Sequence, residues 1–274
     1  MIKQRVSLAE QLAEQAVAAL KWEANFSPKP GLVTRNSNGA HTDMNIDLFM
    51  RSADSLYETF VKIAQAAEAQ TVSVPLREEI GAIGRDGERA MLRATNGINT
   101  HKGAIWALGL LVAASSLQSV PVSQSILKTA GEIAQLPDRY VVNHPSQTYG
   151  QQAKEKYQVT GAREEAAAGF PNVARSLQGL ATTPPHTNAQ WLKILCDLYA
   201  HVDDTNVIHR SSIAVLRAFQ KTASKAAQAV DIAKSPAFQK LVAMTMRYHI
   251  SPGGCADLFA ATYFLDNLKI NEED

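Results

Sequence analysis

Asn99-Thr100-His101-Lys102-Gly103-Ala104-Ile105-Trp106-Ala107-Leu108-Gly109-Leu110-Leu111-Val112-Ala113-Ala114 is the stretch on which the fold turns. From Ala104 to Ala114 every residue is apolar or glycine, with no alternation of polar and apolar positions. Such a run predicts a helix buried within other helices, and it is too short to span a bilayer. The polar start is different in kind. His101 and Lys102 occupy the expected first turn, where packing gives them no role. Free amides at a helix start beside a lysine form a natural anion site.

Outward from this run, helix signals dominate. Ser7-Leu8-Ala9-Glu10 reads as a capping box opening a helix to about Trp22. Leu48, Phe49, Ala53, Leu56, Phe60, Ile63 and Ala64 recur at helical spacing and predict one long amphipathic helix. Further helices are expected near 77–94, 101–118, 122–136, 164–179, 189–201, 208–233, 237–249 and 255–268. Val72 to Val74, ended by Pro75, is the sole strand candidate. No repeat or low-complexity linker divides the chain. The expectation is a single all-α domain over residues 1–274, a multi-helix bundle with its site at helix ends and connecting loops.

The net charge of +1 argues against bulk binding of nucleic acid or of an anionic membrane, so phosphate recognition has to come from local clusters. The two cysteines, Cys196 and Cys255, lack the paired spacing of zinc or redox sites, which fits a reducing, cytoplasmic setting. A homodimer is the default oligomeric expectation. Cys196, with Met244 or Met246, reads as core, and Trp22, Trp106 and Trp191 as packing anchors. His144, His186 and His201 read as loop or surface histidines rather than ligands.

Polar residues collect in the joints. In Pro28-Lys29-Pro30-Gly31, prolines hold Lys29 extended and Gly31 permits close backbone approach to a ligand. His41 and Asp43 precede a helix, with Asp47 one turn on. Those carboxylates suit either helix capping or magnesium held near phosphates. Asp203-Asp204-Thr205-Asn206 repeats the hard-oxygen theme, and Arg210 is placed to clamp a phosphate. Ser251-Pro252-Gly253-Gly254 leaves amides open ahead of the last helix, but without the Lys-Ser/Thr ending or the leading strand of a P-loop. Gly161-Ala162-Arg163-Glu164-Glu165 places an arginine beside carboxylates at a helix start, an arrangement that surface pairing explains.

Together these segments resemble the ATP:dephospho-coenzyme A triphosphoribosyl transferases. The resemblance is carried by Pro28 to Val33; Gly39-Ala40-His41 with Asp43-Met44; Asn99 to Ile105; Tyr149-Gly150; and Gly161-Ala162-Arg163 with Glu165-Ala166. It continues through Gly169-Phe170-Pro171, Asp204-Thr205-Asn206, and Ser251 to Gly254 with Ala256-Asp257-Leu258, in the family's order from about Glu23 to Leu268. The chain departs from the pattern at Thr34, Asn96, Glu164, Ser211-Ser212 and Cys255.

The resemblance implies transfer of the 5-triphosphoribosyl group of ATP to the 2′-hydroxyl of 3′-dephospho-coenzyme A. Adenine leaves, and the product is the prosthetic-group precursor of citrate lyase or malonate decarboxylase. It implies Lys29, His101, Lys102, Arg163 or Arg210 on phosphates, and Mg²⁺ on Asp43, Asp204 or Asp257. Asp43, Glu165, Asp204 and Asp257 are the carboxylate candidates for acceptor activation, and His41 and His101 the candidates for the departing adenine. Gly31, Asn99, Thr100, Asn206, Ser251, Gly253 and Gly254 are expected to line the nucleotide. The alternatives are a magnesium-dependent nucleotide hydrolase on the same scaffold and a non-catalytic nucleotide-binding relative.

Overall fold

The apolar run becomes the central helix. The structure, a computed structural model, describes residues 6–118, 122–141, 149–180 and 184–268. Among these residues the elements are α1 (Leu8–Asn25), α2 (Ile46–Asp54), α3 (Tyr57–Ala67), α4 (Val74–Ala94), α5 (Lys102–Ser116), α6 (Ser123–Gln135) and α7 (Tyr149–Tyr157). There follow α8 (Ala162–Ala167), α9 (Pro171–Leu180), α10 (Asn188–His201), α11 (Thr205–Arg210), α12 (Ile213–Ala227), α13 (Pro236–Tyr248) and α14 (Gly253–Asp266). No strand occurs among the described residues, where an isolated Thr34–Ser37 bridge is the sole β-type pairing.

From Ala104 to Ser116, α5 is buried on nearly every side except at Trp106, as a helix apolar all round must be. It packs against α1, α3, α4, α6 and α14. On the other side of α14, helices α9, α10, α12 and α13 pack in succession. One apolar cluster runs through both groups. Trp22 and Trp191 anchor it, Trp22 stacking on Tyr263 with centroids 3.9 Å apart and meeting Trp191 edge-on. Cys196 and Met244 are core, whereas Met246 is exposed. His186 sits in a loop with its ring against Asp266 at 3.0 Å, and His144 lies outside the described residues.

The capping box at Ser7 and Glu10 forms as its spacing requires. Four expectations need correction. The long helix expected from Leu48 is two, because the chain turns at Ser55–Leu56, where the Ser55 hydroxyl donates to the Ser52 carbonyl at 2.7 Å. Ala53, Leu56 and Phe60 still face one core, so the apolar spacing runs unbroken across a break in the backbone. The 164–179 segment divides at Gly169 and Phe170, both at positive φ, and 208–233 divides at Ser212, whose hydroxyl caps α12. Val72 to Val74 is no strand: Ser73 caps α4 and Pro75 fills its first turn, where a missing N–H is harmless. No helix among the described residues is long and apolar enough to cross a membrane.

Candidate active site

Helix ends converge beside the start of α5. The last full turn of α1 carries Glu23 inward, and the loop after it returns Lys29 to the same place. The Lys29 ammonium donates to the Glu23 carboxylate and to the Glu23 carbonyl, with both side chains almost fully buried. Burial drives the two toward their neutral forms, lowering Lys29 and raising Glu23, and their mutual attraction opposes it. Tyr199 fixes the loop by donating to the Pro30 carbonyl at 3.1 Å. Gly31, at positive φ, is needed there because a Cβ would stand 2.6 Å from the Ile250 carbonyl.

His101 is the N-cap residue of α5 and is buried. Its Nδ1 lies 2.7 Å from Ser52 Oγ, which is 2.6 Å from Thr100 Oγ1. Phe49 packs edge-on against the ring, and the His101 N–H points to Met91 Sδ. Its Nε2 is buried without a hydrogen-bond partner among the described residues. Burial, helped by the Lys29 charge, lowers its pKa to about 3, so the ring is neutral at pH 7. A histidine with its folded pKa below the unfolded 6.5 loses stability as pH falls through that window, because the unfolded chain takes the proton first. This group should contribute a loss of about 1.4 kcal/mol per pH unit between 6.5 and 3. Urea denaturation at pH 7.5 and 5.5 checks it: the pH-dependent loss should be smaller in His101→Gln than in the parent.

Two buried carboxylates complete the centre. Asp204 caps α11, accepting from Asn206 N at 2.9 Å and Val207 N at 3.3 Å, while its other oxygen accepts from Cys255 N at 3.0 Å in α14. Asp257 reaches across to the first turn of α5, beside the Ala104 N–H and lying where a Cβ on Gly103 would be 1.9 Å from Oδ2. Burial raises both carboxyls, and the charges of Asp204 and Glu23 raise Asp257 further. Glycine at 254 leaves room for this pair, since a Cβ there would meet Asp204 Oδ2 at 3.1 Å.

At the rim, His41 Nε2 lies 2.8 Å from Ser251 Oγ, and its Nδ1 faces Asp43 at 3.7 Å, an ion-pair distance beyond hydrogen-bond reach. Burial, then the Arg210 charge, lowers the His41 pKa. Asp43 is exposed, and no hydrogen bond or ion pair joins it to Asp204 or Asp257. Arg210 donates to the His249 carbonyl at 3.4 Å. The Asn206 amide lies over Gly253, 2.9 Å from where a Cβ would be.

In the opening motif, Asn99 Oδ1 accepts from Lys102 N at 3.2 Å, and Asp257 lies beside the Ala104 N–H. The Lys102 ammonium points outward to Glu88, 3.0 Å away. Glu165 caps α9, accepting from Asn172 N at 2.8 Å and Asn172 Nδ2 at 2.7 Å. Arg163 is exposed at the start of α8. No group of three or more His, Cys, Asp or Glu among the described residues is arranged to hold a metal. Glu23 and Ser52 escaped the sequence reading. Each reads as an ordinary helix residue until the fold sets it against Lys29 or His101.

A sequence profile of the family described as ATP:dephospho-CoA triphosphoribosyl transferase matches residues 9–274. A Klebsiella pneumoniae relative, 2-(5''-triphosphoribosyl)-3'-dephosphocoenzyme-A synthase, is 42% identical over 265 residues, covering 94% of this chain and 94% of its own. A Pseudomonas syringae pv. syringae (strain B728a) relative, named as a probable enzyme of that kind, is 43% identical over 273 residues, covering 96% of this chain and 93% of its own. A crystal structure from Archaeoglobus fulgidus, named for triphosphoribosyl-dephospho-CoA synthase, shares the fold at TM-score 0.54 and 15% identity, over 78% of this chain and 96% of that one. With a profile match over nearly the full length and these identities, the chain belongs to the ATP:dephospho-CoA triphosphoribosyl transferase family.

Proposed function

We infer that the chain joins the 5-triphosphoribosyl group of ATP to the 2′-hydroxyl of 3′-dephospho-coenzyme A with release of adenine. The N-glycosidic bond at the ribose C1 breaks, and a C1–oxygen bond to the acceptor forms. The acceptor hydroxyl gives up a proton, and the adenine takes one. The observation that carries this reading is a neutral His101 whose Nε2 has no partner among the described residues, at the same end of α5 against which Asp257, a carboxyl held well above its usual range, lies. A carboxyl shifted toward neutrality is a better general base than an ordinary one. Asp257, whose carboxyl burial and the charges of Asp204 and Glu23 raise, holds that role, and Asp204 holds the helix starts that frame it. With its proton on Nε2 and the Ser52 hydroxyl donating to Nδ1, His101 donates a hydrogen bond to the departing base. Negative charge at this centre also suits the positive charge that builds on the ribose.

Asp204 already accepts from three backbone N–H groups and Asp257 is held toward its neutral form, so the two are not arranged as a magnesium site; magnesium would enter on the substrate's phosphates, neutralising their charge.

Product analysis tests the reading. Incubation with ATP, Mg²⁺ and 3′-dephospho-coenzyme A should release free adenine and form one heavier adduct that retains the triphosphate. ADP or AMP with phosphate and no adenine would mean a hydrolase; nucleotide binding without any turnover would mean a non-catalytic relative.

A further inference from the structure

The acidic centre is a poor host for a polyphosphate, since Glu23, Asp204 and Asp257 outnumber Lys29 there. Unmatched cations lie one turn along α5. Trp106 follows Gly103 by three residues, so it shares the α5 face against which Asp257 lies. The Trp106 indole N–H donates to the Ala162 carbonyl at 3.2 Å, holding the backbone that leads into Arg163 beside this face. The Arg77 guanidinium stands 5.0 Å from the Trp106 ring centroid.

Arg77 and Arg85 share one carboxylate oxygen of Asp138, at 3.3 and 2.8 Å. Arg163 has no hydrogen bond or ion pair with any described residue, yet its charge, like that of Arg85, bears on Arg77. Two guanidiniums therefore share one carboxylate, and a third arginine charge acts on the same cluster. Two acids on α4 have partners of their own: Glu78 is matched by Arg139, and Glu88 by Lys102.

The cluster is also built rather than incidental. The Arg77 side chain is 6% exposed, and its Nε–H is buried without a partner among the described residues. A Cβ at position 81 would stand 2.2 Å from Asp138 Oδ2 and 2.7 Å from Arg77 Nη1, so glycine there is what lets the pair close. A buried cation with an idle donor, on which two further arginine charges act, matches the bidentate chemistry of phosphate oxygens.

We propose that Arg77, Arg85 and Arg163, walled by Trp106, form a polyphosphate subsite beside the acidic centre, which holds a nucleotide di- or triphosphate while the ribose reacts. The nucleotide's identity rests on the transferase reading; the anion site does not. Both the triphosphate of ATP and the diphosphate of 3′-dephospho-coenzyme A have the required chemistry.

Arg77 is buried and its loss endangers folding, so the test uses the more exposed Arg163→Ala and Arg85→Ala. Calorimetric titration with inorganic tripolyphosphate and with pyrophosphate should show affinity falling about tenfold or more in each variant, the worth of a charge-assisted hydrogen bond. In the transfer assay KM should rise by a similar factor for one substrate and stay within about twofold for the other. A rise for ATP assigns the triphosphate; a rise for the acceptor assigns the diphosphate. Unchanged affinities and unchanged KM values in both variants overturn the subsite. A parent protein that binds tripolyphosphate through these arginines but releases no adenine would keep the subsite and overturn the transferase reading.

Discussion

Lys29→Met is expected to destabilise the fold by about 3–5 kcal/mol, because it strands a buried carboxylate. Glu23 is nearly enclosed, its partner sits within hydrogen-bond reach, and burial already drives its carboxyl up. Without the ammonium, Glu23 has to take a proton or admit water. It also lies close enough to Asp257 to raise that carboxyl, so the loss spreads to a second acid. The paired substitution Glu23→Leu with Lys29→Met should recover most of the stability, since two apolar chains of similar volume fill a site where two ions were costly to desolvate. Urea denaturation of the single and double variants measures this. A Lys29→Met protein within about 1 kcal/mol of the parent would show that the pair is not buried as described.

The double variant also separates two roles of the pair. If Glu23 and Lys29 were merely structural, a refolded, stable double variant would release adenine at the parent rate. Their charges act on the working groups, however. Lys29 helps keep His101 neutral, and Glu23 helps raise Asp257. Restored stability without restored turnover is therefore the expected pattern.

Much of this molecule is legible in its sequence. The unbroken apolar run from Ala104 to Ala114 calls for a helix enclosed by helices, and the Ser7–Glu10 spacing marks a helix start that forms as written. Spacing fails where a turn preserves the apolar face. Leu56 and Phe60 keep helical register with Ala53 although the chain breaks at Ser55, so periodicity alone cannot see the break. The site is legible as a set of segments but not as a set of roles. Glu165 looks like a catalytic acid and caps α9, and Lys102 looks like a phosphate ligand and meets Glu88 on the surface. Both depend on partners distant in sequence or on which way a helix faces. Glu23 carried no signal at all, because an acid near a helix end is ordinary until its burial is known.

His101 carries the largest expected effect on turnover. His101→Gln should lower adenine release by about 10²–10⁴-fold, the range for loss of a positioned proton donor or acceptor, while leaving a folded protein at pH 7. Ser52→Ala should give a smaller loss, since Ser52 meets no substrate and acts by holding Nδ1 and hence the tautomer. Steady-state adenine release by the two variants checks the order, and a His101→Gln protein within about threefold of the parent would remove the imidazole from the chemistry. The pH profile adds a second constraint. With a pKa of about 3, His101 does not titrate near neutrality, so an acid limb in kcat/KM cannot belong to it. Asp257 is held well above the usual carboxylate range, and a base must be ionised to act, so activity should rise with pH through that raised value. Asp257→Asn should abolish the limb along with most of the rate, whereas Ser52→Ala should keep the limb at the same pH with a lower plateau. A limb that moved in Ser52→Ala would tie it to the imidazole and exchange the roles of the two groups.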